Sequence, residues 1–287
     1  MKLLTLLVDG IAYGMVLFVL ASGLSVTLGL MNVINLAHGA FAMAGGYAAV
    51  VLMQKAGLPF IWTLPAAFLL TALAGAVLER LLYRPIYAKS HLDQVMFSIG
   101  LVFMAVAGID YLMGSTQQFI QLPGWLQGRF DIAGVAVGRY RLFVIVLCGL
   151  LAFGLQWGFT RTRFGSRLRA AVDDARVARG LGIPVHALFA FTFALGSGLA
   201  GLGGVLGVEL LGLDPSFPLK FMIYFLVVVT VGGTSTITGP FLAAMLLGIA
   251  DVAGKYFIPQ VGAFIIYALM VVLLLLRPDG LFARQRT

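Results

Sequence analysis

Residues 187–211 read ALFAFTFALGSGLAGLGGVLGVELL, a run whose only ionisable side chain is Glu209. A helix that crosses a bilayer needs about 20 apolar residues, within a range near 17–25, so this run predicts a membrane span. Six glycines fall inside it: Gly196, Gly198, Gly201, Gly203, Gly204 and Gly207. Gly203 and Gly207 are four apart, as are Gly10 and Gly14 near the N-terminus. Small residues at this spacing let helix backbones approach closely in lipid. Tight packing is the plain reading of the stripe; a helix that slides during a transport cycle is the other.

Working outward, the same reading gives eight more runs: 8–30, 38–54, 60–82, 95–113, 141–160, 219–235, 239–256 and 259–276. They are rich in Leu, Val, Ala, Phe and Gly rather than alternating polar and apolar, which favours helices over a membrane barrel. The expected fold is an all-α polytopic membrane protein of about 8–9 spans, one transmembrane domain over residues 1–287. Composition agrees. The chain is 61% hydrophobic and 10% charged, with a mean hydropathy of +1.04, whereas soluble domains carry about 45–50% apolar and about 25% charged residues. A soluble enzyme is excluded, because a water-facing surface of this size could not be dressed by so few charges. The opening residues Met1–Asp9 lead into a retained first helix rather than a cleaved signal, since Asp9 interrupts the short apolar part. Cys148 is the only cysteine, which leaves no disulfide framework.

The net charge of +8 reads as a membrane feature and not as a nucleic-acid surface. Basic residues gather in loops that stay cytoplasmic and meet anionic headgroups. Arg161, Arg163, Arg167, Arg169, Arg176 and Arg179 crowd one connection, which places segment 161–186 in the cytoplasm. Counting spans from there puts Arg80, Arg84 and Lys89 on the same side, with the C-terminal Arg277, Arg284 and Arg286, and leaves Arg129, Arg139 and Arg141 outside. Within the segment, 167–179 suits one short amphipathic helix ended by Gly180 and Gly182, with Pro184 beyond. Such a helix can lie on a membrane or plug into a partner's groove.

Two polar breaks interrupt the apolar chain. The first is Asn32-Val33-Ile34-Asn35-Leu36-Ala37-His38-Gly39; the second is Gly232-Gly233-Thr234-Ser235-Thr236-Ile237-Thr238-Gly239-Pro240. Broken helices at membrane depth are tolerated only where they are buried in protein or line a cavity, and paired breaks in a transporter's two halves point to a substrate path. A tight capped turn is the competing reading of each. Of the ionisable groups near spans, Glu79 reads as a surface anchor beside Arg80, Asp110 and Asp214 as solvated. Glu209 and Asp251 are harder to dismiss, because charges in lipid are costly. A lone His38 is more often a hydrogen-bonded core residue than a ligand.

Enzymatic motifs do not assemble. Gly254-Lys255 lacks the remainder of a phosphate loop, with Ile249 and Tyr256 at the deciding positions. No HExxH or CxxC occurs, and His38, His91 and His186 are not spaced as metal ligands. The chain therefore reads as non-enzymatic, with no metal or cofactor of its own.

The first break, Arg169-Ala170-Ala171-Val172-Asp173-Asp174 followed by Ala178 and Leu181-Gly182-Ile183, Gly232-Gly233-Thr234 with Gly239-Pro240, and the tail Arg277-Pro278-Asp279-Gly280-Leu281-Phe282 together resemble the signature of branched-chain amino acid ABC transporter permeases. They run in the family's order along the whole chain, which is most similar to the smaller permease of the Liv-type systems. The resemblance implies a bacterial inner-membrane importer of several chains. A second, paralogous permease completes the pore, two ATP-binding cassette subunits use ATP on the cytoplasmic face, and a periplasmic binding protein delivers substrate. It places the ATPase-coupling helix at about 165–184, with Arg167, Arg169, Ala170, Ala171, Asp173, Asp174 and Gly182 at the contact. The usual motif begins Glu-Ala-Ala, and here Arg169 stands in place of the glutamate. The expected substrate path takes in Asn32, Asn35, His38, Gly39, Thr234, Ser235, Thr236 and Gly239. Relatives of this family also serve urea, short amides or aromatic acids, and a stand-alone carrier or channel is the alternative class.

Overall fold

A computed structural model of the chain describes residues 2–31, 33–87, 89–132, 135–233, 236–277 and Gly280. Nine apolar helices occupy the nine predicted runs among these residues: α1 (Lys2–Met31), α2 (His38–Ala56), α3 (Phe60–Leu78), α4 (His91–Met113), α5 (Arg139–Arg161), α8 (Val185–Leu211), α9 (Phe217–Gly232), α10 (Thr238–Phe257) and α11 (Gly262–Leu276). Between α5 and α8 lie the short α6 (Arg163–Asp173) and α7 (Ala175–Gly180). Six of the helices, α1, α3, α4, α5, α8 and α10, are long and apolar enough to cross a bilayer; α9 and α11 are shorter. The chain is a multi-pass membrane protein.

One element was not expected of an all-α chain. Strands β1 (Arg129–Ile132) and β2 (Val135–Gly138) pair antiparallel in the polar stretch between α4 and α5. The Arg139 guanidinium lies 4.5 Å over the Phe130 ring of β1, and Arg141 pairs with Asp9 of α1 at 2.9 Å. The arginines that cost the orientation argument most are thus tied to the hairpin and to α1.

The glycine-rich run decides the architecture by packing. α8 is the axis of the bundle, and α1, α2 and α3 lie against it. A Cβ on Gly204 would run into the carbonyl oxygen of Ala42 on α2, one on Gly201 into Thr71 of α3, and one on Gly203 would touch Leu20 of α1 at 3.0 Å. Three neighbours therefore share one helix because it has almost no side chains on those faces. α1 closes its other side against α10, where Gly14 faces Ala244 and Gly10 faces Ile249.

Contact order along the helices fixes their directions. Val16, Leu20 and Gly23 of α1 meet Gly207, Gly203 and Gly196 of α8, so the two are antiparallel; Ala42 and Gly46 of α2 meet Gly204 and Val208, so α2 runs with α8. Tyr83 and Tyr87, after α3, stack on Phe193 and Phe189 near the start of α8. Arg80 and Arg84 accordingly share the arginine-rich end of the bundle with α6 and α7, as the alternation of spans requires. The hairpin marks the opposite end.

Candidate functional site

The first polar break lies deep in the bundle. Its His38 touches Gly196 of α8, which stands eleven residues, roughly 16 Å, along that helix from Val185. α1 ends at Met31 and α2 starts at His38, so the backbone between them must find partners away from water. Asn35 supplies them. Its Oδ1 accepts from the Ala37 N–H at 2.9 Å and from the Tyr83 hydroxyl at 2.7 Å. The Asn35 carbonyl accepts from Nδ1 of His38 at 3.0 Å. The Ile34 N–H donates to Gln94 of α4 at 3.1 Å. Asn35, His38, Tyr83 and Gln94 are all buried. This is a closed polar knot tying α1, α2, the end of α3 and α4.

Tyr83 reaches the knot because α3 ends in a π turn, Glu79–Tyr83, with Arg84 N–H donating to the Glu79 carbonyl at 2.9 Å. The extra residue per turn re-aims the side chains that follow, a common device at functional places. The same turn overturns the reading of Glu79 as a surface anchor: it is buried and accepts from the Tyr87 hydroxyl at 3.1 Å. Among the described residues two knot atoms have no partner, Asn35 Nδ2 and His38 Nε2. Gly39 packs against Pro218 at the start of α9. Asn32 lies outside the described residues. Tyr83 and Gln94 were not singled out from sequence, although each is a polar group beside an apolar run, which is the signal that marked Asn35.

The second break is a tight helix–helix turn. Gly233, at φ 82°, ends α9, and a Cβ on Gly239 would strike the carbonyl of Gly232. Thr236 accepts from the Gly239 N–H at 3.2 Å and is exposed. Thr234 and Ser235 lie outside the described residues. The two breaks differ in kind: one is sealed within this chain, the other offers a hydroxyl at the surface.

The arginine-rich end carries two helices where the sequence predicted one. Asp174 breaks them apart: its backbone is extended, and its carboxylate caps α7 by accepting from Arg176 and Val177 N–H at 2.8 and 2.9 Å. An N-cap aspartate outweighs the alanine-rich pattern around it. α6 folds back on α5 because Gly165 lets it lie against the Phe159 carbonyl, to which Arg169 also donates. Ala171 is buried, with Ala178 and Val185. Of the residues assigned to the contact by resemblance, Arg167, Ala170, Asp173 and Gly182 face outward, while Ala171, Arg169 and Asp174 hold the turn together. Val177 and Leu181, the one inside the helix expected over 167–179 and the other in the quoted Leu181-Gly182-Ile183, are exposed at 57% and 76%.

Asp251 is buried on α10 and pairs with Lys255 one turn on, at 2.5 Å, so it is held as an ion pair along its own helix. Glu209 is exposed near the hairpin end. No cluster of side chains suited to a metal occurs among the described residues.

These features define a class: a polytopic helical membrane protein with a buried polar break in its core and a folded two-helix hook at its arginine-rich end. The chain belongs to the family of branched-chain amino acid transport system permease components, whose pattern matches residues 6–274. It is 28% identical over 291 residues to the high-affinity branched-chain amino acid transport system permease protein BraD of Pseudomonas aeruginosa, covering 97% of this chain and 95% of that protein. The corresponding LivH of Escherichia coli K12 is 25% identical, covering 96% and 94%. LivM of the same organism, also named as a permease protein of that system, is 25% identical over 97% of this chain and 70% of its own length.

Proposed function

We propose that this chain is one permease half of an ATP-driven importer of branched-chain amino acids in a bacterial inner membrane, with α6–α7 in the cytoplasm as the hook that engages an ATPase. The observation that carries the reading is the hook itself. Val177 and Leu181, one turn apart, are exposed apolar residues among the exposed Arg176, Arg179 and Asp173, while Gly165, Arg169 and Ala171 fasten its base to α5 and α8. A rigid base with an apolar, charge-rimmed tip suits docking into a partner groove better than lying flat, since a flat helix would turn its apolar side to the lipid.

The substrate class comes from the names of BraD and LivH. The likeness to both LivH and LivM supports a pore made with a second, related permease. ATP is bound by separate cassette subunits, and a periplasmic binding protein delivers the amino acid to the hairpin end. ATP binding closes the cassettes, moves the hook, and tilts α5 and α8 between two states. Asn35 and His38 hold the start of α2 in shape behind the path, and the exposed Thr236 belongs to its lining.

Copurification tests the reading. The chain carrying Val177→Asp and Leu181→Asp should assemble with its permease partner but lose its ATPase subunits, and uptake of leucine into vesicles should fall at least ten-fold. ATPase retention in that variant, or leucine accumulation by the purified chain alone, overturns it.

A further inference from the structure

We propose that the slot between α3, α5 and α8 binds an anionic phospholipid, with an acyl chain in the slot and the headgroup phosphate on Arg161 and Arg163. The slot exists because α5 packs along α1, with Val144 and Cys148 buried, and meets α3 and α8 only near its ends. At the hairpin end, Phe143 meets Phe60 of α3 and the Tyr140 hydroxyl donates to the Leu206 carbonyl of α8 at 2.8 Å. At the arginine-rich end, Phe164 stacks between Phe159 and Phe191. Between these staples α5 stands away from α3 and α8 and leaves a cleft of about 340 Å³. Gly154 and Gly158 make its floor, where an added Cβ would meet nothing within 4 Å. Phe68 and Leu195 wall it, and every lining side chain is apolar.

Size and charge choose the occupant. An all-apolar cleft of this size suits a flexible hydrocarbon chain. Phe153 and Trp157, on the same helix as Gly154 and Gly158 of the slot, are exposed at 71% and 57%. The order Trp157, then Arg161 and Arg163, is that of a bilayer boundary, with an aromatic ring at headgroup level and basic groups just beyond. Arg161, Arg163 and Arg167 are exposed and make no ion pair among the described residues. Arg161 and Arg163 lie in the chain between Phe159 and Phe164, which line the slot, and guanidinium groups there complement a phosphate at the head of a hydrocarbon chain.

The test uses the full chain in phosphatidylcholine vesicles carrying a trace of either phosphatidylglycerol or phosphatidylcholine, each spin-labelled near the end of an acyl chain. The motionally restricted fraction should be larger for phosphatidylglycerol. Arg161→Gln with Arg163→Gln, both surface changes, should lower that preference about five-fold per arginine. Gly158→Leu should remove restricted label of both lipids, because its side chain fills the slot. Equal restriction of the two lipids by the unaltered chain, or an unchanged preference in the arginine variant, overturns the proposal. So does a Gly158→Leu chain that folds, keeps its restricted lipid and loses its permease partner, since a protein helix would then own the slot. Should Gly158→Leu fail to fold, the arginine variant decides alone.

Discussion

Asn35 does the work of several residues. Its side chain accepts two hydrogen bonds and its carbonyl a third, and the residue has no exposed surface. Asn35→Ala should leave the Tyr83 hydroxyl and the Ala37 N–H unpaired, at about 1–3 kcal/mol each, whereas Tyr83→Phe removes one bond and should cost about 1 kcal/mol. Thermal unfolding in detergent, compared between the two variants, checks the order; an equal loss would show that the knot does not turn on Asn35. At the hairpin end, Asp214 shows the opposite situation. Partial burial would raise its pKa, but hydrogen bonds from Lys220 and Ser216, with the nearby ammonium of Lys220, hold it below the usual carboxylate range. A lowered folded pKa gives stability that is present above the ordinary value and fades as pH falls through the folded one. The stability difference between the unaltered chain and Asp214→Asn should therefore be present at neutral pH and vanish below the ordinary carboxylate range, measured by unfolding across a pH series.

Among the elements, α8 is the least replaceable. Its glycines are not there for flexibility; they are where other backbones pass. Gly204→Ala would push a methyl into the Ala42 carbonyl of α2, and backbone cannot swing aside as a side chain can. Such overpacking costs typically 1–3 kcal/mol. By contrast, Gly100 on α4 and Gly149 on α5 have nothing within 4 Å of an added Cβ. Gly204→Ala should sharply reduce the yield of folded protein on size-exclusion chromatography, while Gly100→Ala should be silent. This settles the two readings of the glycine stripe in favour of close packing. The apolar runs were legible because the bilayer asks for length and hydrophobicity, both of which are written residue by residue. The break at Asp174 was not: an aspartate in an arginine-rich stretch looks like solvent-facing charge until its backbone turns extended and its carboxylate becomes a cap. The π turn that buries Glu79 was equally silent, since one extra residue in a helical turn leaves no mark on composition.

At the scale of the whole molecule, the pairing of distant segments was beyond the reach of pattern reading. Periodicity gives the faces of helices, but the partner of each face depends on shape. α1 shows the consequence. It is held chiefly by α8 and α10, whose first residues lie some two hundred positions later. At about 5–20 residues per second, α1 waits roughly 10–40 seconds after its own synthesis for these surfaces. Its hydroxyls are suited to that wait. Ser22 donates to the Val19 carbonyl at 2.6 Å and Thr27 to that of Gly23 at 3.1 Å, so each is satisfied by its own helix before any neighbour is translated. α1 can thus sit in lipid with its α8 and α10 faces still open, and late steps of biogenesis close the bundle around it.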